Sequence, residues 1–251
     1  MHALQGPSDG PPVKVGIPAT DISTGLYAHG AIMAALLARV RTGKGQHVDC
    51  SLLETQVAIL SSIASAYLNG GVIPKRTGTA HESIVPYQLF PTKDSAVVVG
   101  ALNDKQFGEL CHVLQKPDLA KDPKFASNPV RVANRKQLIA LLEDEFRALP
   151  TATWLERLQH TSLPYGPVNN LEQVFQNPQV QARNMILTIP YPVEGTGAVR
   201  TAGFAVKLSD TPCTLHQPPP MLGEQTEEIL SSVLGYSPEM VAALRTSGAL
   251  S

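Results

Sequence analysis

Apolar residues recur along the chain at spacings that separate helices from strands. Ile22, Leu26, Met33, Leu36, Leu37 and Val40 fall on one face of a 3.6-residue period. That predicts a helix opening at Asp21, which stands where an N-cap belongs. Gly25, Ala28, Gly30, Ala31, Ala34 and Ala35 keep the other faces thin, so another backbone is expected to pack closely on this helix inside a layered fold. Arg39, Arg41 and Lys44 place positive charge at its C-terminal end, where the macrodipole favours it, and Gly43 and Gly45 supply the break.

A short strand is expected over 47–50. Leu53, Val57, Leu60, Ile63, Ala64 and Tyr67 then define a second helix, closed by Gly70 and Gly71. This stretch carries no charge from Thr55 to Leu68, which predicts a position between layers. Residues 72–86 read as linker and loop. From Tyr87 the texture changes: Val97, Val98 and Val99 form a buried-strand run, followed by a helix from Asn103 and Asp104 through Phe107, Leu110, Cys111 and Leu114. Helices over 134–149, 151–159 and 171–175 follow, punctuated by Pro150, Pro164, Pro167 and Pro178. Thr151 is expected to cap its helix with a hydroxyl, and Trp154 to anchor packing. Strands and turns return over 186–208, and 223–234 reads as a final helix after Pro218, Pro219 and Pro220.

Composition narrows the function classes. With 43% hydrophobic and 16% charged residues in 251, the chain is expected to fold, as one large or two modest domains. Twenty basic residues balance twenty-one acidic ones, so no global field favours nucleic acid or an anionic membrane. No apolar stretch is long enough to predict a membrane-spanning helix. Cys50, Cys111 and Cys213 are odd in number and far apart, which predicts a reducing compartment and no structural metal. Residues 1–12, rich in Gly and Pro, have no signal-peptide pattern. Gly43, Lys44 and Gly45 lack the full phosphate-loop spacing, and His29 and His47 read as structural.

Asp21 is the leading candidate for chemistry. A carboxylate at a helix N-terminus is favoured in its charged form, is ionised at neutral pH and needs no general base to act as a nucleophile. The string Thr20-Asp21-Ile22-Ser23-Thr24-Gly25-Leu26, followed by Ala35 to Arg39, Thr42 to Asp49 and Ser51 to Glu54, resembles in order and spacing the hallmark block of family III CoA-transferases. The likeness continues through Gly78-Thr79-Ala80-His81, Ile84 to Tyr87, Asn128 to Arg135, Pro164 to Val168, Asn177 to Val180 and Pro218 to Gly223, and so covers nearly the whole chain.

The resemblance implies the C-terminal part of an α/β fold. Residues 1–75 and 186–251 would belong to an incomplete Rossmann-like large domain that binds CoA, with a smaller α/β domain over 76–185 inserted between them. It implies that Asp21 is the catalytic aspartate and that Gly78, Thr79, Ala80 and His81 form a substrate loop, with His81 contacting the anhydride or a substrate carboxylate. The implied reaction moves CoA from succinyl-CoA to a dicarboxylic acid such as glutarate or hydroxymethylglutarate through an aspartyl-CoA thioester. Coenzyme A enters as substrate, and no cofactor, metal, nucleic acid or membrane is implied. The alternatives are an α-methylacyl-CoA racemase-like isomerase using the same aspartate, and a non-catalytic binding subunit. Relatives are interlocked homodimers, and the implied location is mitochondrial, otherwise cytoplasmic. They also carry an N-terminal half with most of the basic contacts to CoA phosphates. Its absence from this sequence predicts weak CoA affinity and uncovered sheet surface.

Overall fold

The computed structural model describes residues 4–191 and 197–250. The chain is mixed α/β, as expected, and divides into two compact units, Met1–Val168 and Asn169–Ser251.

The first unit opens with helix α1 (Ala19–Thr42), ended by Gly43 in the left-handed conformation, φ 71°, its N–H on the Arg39 carbonyl at 2.8 Å. This is the predicted stop, at a position that only glycine adopts without strain. The predicted start is late: the helix opens at Ala19, ahead of Asp21. Pro18 flanks the helix, and Asp21 lies inside the first turn without capping it. The expected strand over 47–50 does not form, because no second strand lies beside it to supply a ladder.

The expected second helix is two. Helix α2 (Leu52–Ala58) is capped by Ser51, whose hydroxyl accepts from Glu54 N at 3.1 Å, and α3 (Ser61–Gly70) begins at Ser61 with φ 46°. Burial inside layers is also overturned. Neither α1 nor α3 has a buried residue, and α2 has Thr55 alone. The apolar surface left uncovered is on helices and loops rather than on sheets: Leu26, Leu37, Val40, Leu53 and Leu68 of the helices and Ile73 and Leu222 of the loops are exposed, and among the described residues no exposed large apolar side chain lies within a strand.

The core of this unit sits further along the chain. Strands β1 (Tyr87–Pro91), β2 (Ala96–Gly100) and β3 (Tyr165–Pro167) form an antiparallel sheet in the order β1-β2-β3, with Tyr87 opposite Gly100 and Val99 opposite Tyr165. Phe90, Val97 and Val99 point into a core completed by α4 (Asp104–Val113), α5 (Asn128–Ala133), α6 (Arg135–Arg147) and α7 (Thr151–Leu158). Helix α4 opens where expected, and Asn103 caps it, accepting from Gln106 N at 2.9 Å. Trp154 is the expected anchor: it is buried against Phe146 and donates from Nε1 to the Phe146 carbonyl at 2.8 Å. Thr151 does not cap α7 with its own hydroxyl. The cap comes from Asp94 in the β1–β2 turn, whose Oδ1 accepts from Thr151 N at 2.8 Å and Thr151 Oγ1 at 2.9 Å.

In the second unit, α8 (Leu171–Gln176) opens on a reciprocal cap between Asn170 and Gln173, and α9 (Pro178–Ala182) on Asn177. Strands β4 (Ile186–Pro190) and β5 (Ala198–Ala202) pair antiparallel, as expected for the start of 186–208, of which 192–196 lie outside the described residues. The helix predicted over 223–234 is a short α-turn, α10 (Thr226–Glu228), running into a wider turn at Ile229–Val233. It is not the last: α11 (Pro238–Thr246), capped by Ser237, follows and is tied back by an Arg245–Glu227 ion pair at 2.7 Å.

Candidate active site

Asp21 stands in the first turn of α1, where the unpaired backbone N–H groups and the aligned peptide dipoles favour an anion. Its carboxylate is exposed and is not spent as a cap. The turn beneath it is fixed by its neighbours. Thr20 Oγ1 donates to Gln56 Oε1 of α2 at 2.6 Å, and Thr24 Oγ1 donates back to the Thr20 carbonyl at 2.7 Å. The Gln56 Nε2 group is buried and has no partner among the described residues.

The segment Gly78 to His81 is tied down on both sides. Gly78 takes φ +65° and donates from its N–H to the Gly6 carbonyl at 3.1 Å, while Arg76 reaches the Gly10 carbonyl at 2.8 Å. Ala80 N closes a turn onto the Thr77 carbonyl, and Thr79 Oγ1 accepts from Leu89 N at 3.2 Å. His81 N donates to the Tyr87 carbonyl at 2.8 Å, and its ring stacks on that of Tyr87 with 5.5 Å between centroids and 7° between planes. Gly100 makes room for this arrangement, since a Cβ there would lie 3.1 Å from the Tyr87 ring.

Beyond His81 the backbone is held by one row of side chains, spaced three and four residues apart across α5 and the start of α6. Asn128 bonds Ser83 O at 2.8 Å and Val85 N at 3.1 Å, Arg131 donates to Val85 O at 2.7 Å, and Arg135 donates to His81 O at 2.9 Å and Glu82 O at 2.6 Å. Arg131 is fully buried. Its remaining nitrogens meet Phe125 O at 2.9 Å and Asp104 Oδ1 at 2.7 Å, and its guanidinium lies over the Phe107 ring at 4.4 Å. Burial lowers the proton affinity of Arg135 below that of a free guanidinium, and the nearby Glu82 carboxylate opposes this.

Sequence reasoning assigned no role to Asn128, Arg131, Arg135 or Gln56. For the first three a weak signal was present: polar residues spaced three and four apart, as on one helix face. For Gln56 there was none.

A cleft of about 510 Å³ lies between α3 and residues 80–83, with Lys75, Ala80, His81, Glu82 and Ser83 on its wall. Asp21 is not among its lining residues. A smaller hollow, about 250 Å³, opens beside the next turn of α1 at Ser23, Leu26 and Tyr27. The structure therefore places Ala80 and His81 on the wall of one cleft, leaves Gly78 and Thr79 off its lining, and does not bring Asp21 into it. Among the described residues no three His, Cys, Asp or Glu side chains converge as a metal site, and no helix is long and apolar enough to cross a membrane.

Residues 1–226 match the sequence profile of CoA-transferase family III. The chain belongs to this family. The succinyl-CoA:glutarate CoA-transferase of Homo sapiens is 44% identical over 99% of this chain, and a succinate–glutarate CoA-transferase of Agrobacterium fabrum is 35% identical over 92%. A crystal structure of a CAIB/BAIF family protein from Brucella suis superposes with TM-score 0.78 at 38% identity, covering 92% of this chain and 60% of that one. This family III chain spans 56% and 57% of the length of the two named transferases.

Proposed function

We propose that this family III chain belongs to an enzyme that moves CoA from succinyl-CoA to a dicarboxylic acid such as glutarate, with Asp21 as the covalent carrier. The observation that carries the reading is the carboxylate of Asp21, exposed and uncapped in the first turn of α1. Likeness to transferases named for succinate and glutarate supports the choice of acids.

The carboxylate attacks the thioester carbonyl of the donor, giving a mixed anhydride and CoA thiolate. The thiolate attacks the aspartyl carbonyl of that anhydride, so an aspartyl-CoA thioester forms and succinate leaves. The acceptor carboxylate then attacks the aspartyl thioester, again giving an anhydride and thiolate, and attack of thiolate on the acceptor's acyl carbonyl releases the new acyl-CoA and restores Asp21. Each step exchanges one activated acyl bond for another, so thioester energy is retained through covalent intermediates. Water must be kept from the anhydride. In this reading His81, held on Tyr87 and by Arg135, supplies a polar contact to a substrate carboxylate.

Incubation with succinyl-CoA and labelled glutarate is expected to give labelled glutaryl-CoA, and hydroxylamine added during turnover is expected to leave a hydroxamate at Asp21. Asp21→Asn, which keeps size and removes the nucleophile, should lower transfer by at least ~10³-fold with unchanged circular dichroism. Normal turnover by the asparagine variant would sink the assignment.

A further inference from the structure

The cleft beside the loop has the size and lining of a site for a small ligand: about 510 Å³, within the range of roughly 300–1,000 Å³ usual for such sites. Its chemistry is one-sided. Ile63, Ala66 and Val72 give an apolar wall, and Lys75 stands at the rim without an ion pair among the described residues. Glu82 also faces it and has no ion pair among the described residues; the Arg135 guanidinium senses its charge and holds the Glu82 backbone carbonyl at 2.6 Å.

The orientation of His81 adds a directed donor. Ser83 N donates to His81 Nδ1 at 3.2 Å, so Nδ1 is the acceptor and the neutral ring carries its proton on Nε2. Stacking on Tyr87 and the Arg135 bond to the His81 carbonyl leave the ring little freedom to reverse. An ammonium and an N–H donor beside an apolar wall suit a carboxylate on a short methylene chain, because charge-assisted hydrogen bonds to a carboxylate are the strong ones.

We propose that this cleft seats one carboxylate of the dicarboxylic acid, with Lys75 Nζ pairing to it, His81 Nε2 donating to it, and Ile63, Ala66 and Val72 taking the methylene chain. The inference rests on the transferase reading for its choice of acid. Arg135 is a positioning residue in it, acting through the backbone of His81 and Glu82.

The test is a titration of the ¹⁵N-labelled 251-residue chain by NMR, with glutarate, with the neutral glutaramide, and with inorganic phosphate standing for the phosphates of CoA. Glutarate is expected to shift the Ser83 amide and the His81 ring nitrogens saturably, and glutaramide to leave them in place. Lys75→Met should weaken glutarate at least ~5-fold and Lys75→Arg should restore most of the affinity. Arg135→Met should weaken it as well and speed amide exchange at 81–85, while exchange in β1 and β2 is unchanged. The proposal fails if glutarate gives no saturable shift, if Lys75→Met binds it as tightly as the parent, or if phosphate binds the cleft more tightly than glutarate. Glutarate transfer without binding here would remove this seat alone, whereas binding here with no transfer and no adduct on Asp21 would remove the transferase reading alone.

Discussion

Arg131 is the residue on which most of the small core's polar bookkeeping converges. Three of its nitrogens are matched to Val85 O, Phe125 O and Asp104 Oδ1, so removing the guanidinium leaves two buried carbonyls without a donor, while the exposed Asp104 carboxylate turns to water. Arg131→Met is expected to destabilise the first unit by about 2–5 kcal/mol, the cost of leaving two buried carbonyls unsatisfied, read from urea unfolding. The sequence marked Arg131 only within a string of family likeness, ahead of the helix expected over 134–149, and gave it no place in the core, because two of its acceptors are main-chain atoms of other segments and leave no mark on composition. Cys111 is a simpler case. Burial pushes its thiol up to about 12, so it should resist maleimide at neutral pH until the protein unfolds, while exposed Cys213 is modified at once; mass spectrometry of the labelled chain distinguishes the two.

Among the elements, α4, α6 and α7 were legible: they appear where the sequence expects helices, from Asn103 and over 134–149 and 151–159. What was not legible depends on partners distant in sequence. The break between α2 and α3 needs Ser61 at φ 46°, which no local signal announces, and the cap of α7 comes from Asp94, some fifty-seven residues away. That cap has a pH signature. The Thr151 N–H and hydroxyl hold the Asp94 carboxyl below the ordinary carboxylate range. A group depressed on folding stabilises fully above its unfolded value and loses that contribution as pH falls through the lower folded one. The advantage of the parent over Asp94→Asn should thus be constant above about pH 5 and shrink below about pH 4, measured as the difference in unfolding midpoints.

At the scale of the molecule, the family was legible by likeness, and the candidate site rests on that likeness rather than on geometry. The ordered strings from Thr20 to Glu54 identified the family, yet the folded chain gives Asp21 and the loop separate surroundings. The expectation of burial for α1 to α3 came from their small and apolar faces, and those faces are bare here, with Val40 82% and Leu68 77% exposed. Exposed apolar surface of this extent favours association. The chain alone is expected to bind a hydrophobic dye and to self-associate with rising concentration by light scattering, and Leu26→Lys with Leu68→Lys should reduce both.

The missing side chain at Gly100 has a reach longer than its own size. The Tyr87 ring settles over that position, and the imidazole of His81 rests in turn on the phenol. A single methyl on the middle strand would thus be passed on, ring by ring, as a tilt of the histidine, so that drift in a strand far from any reacting atom would retune how the protein grips its ligand.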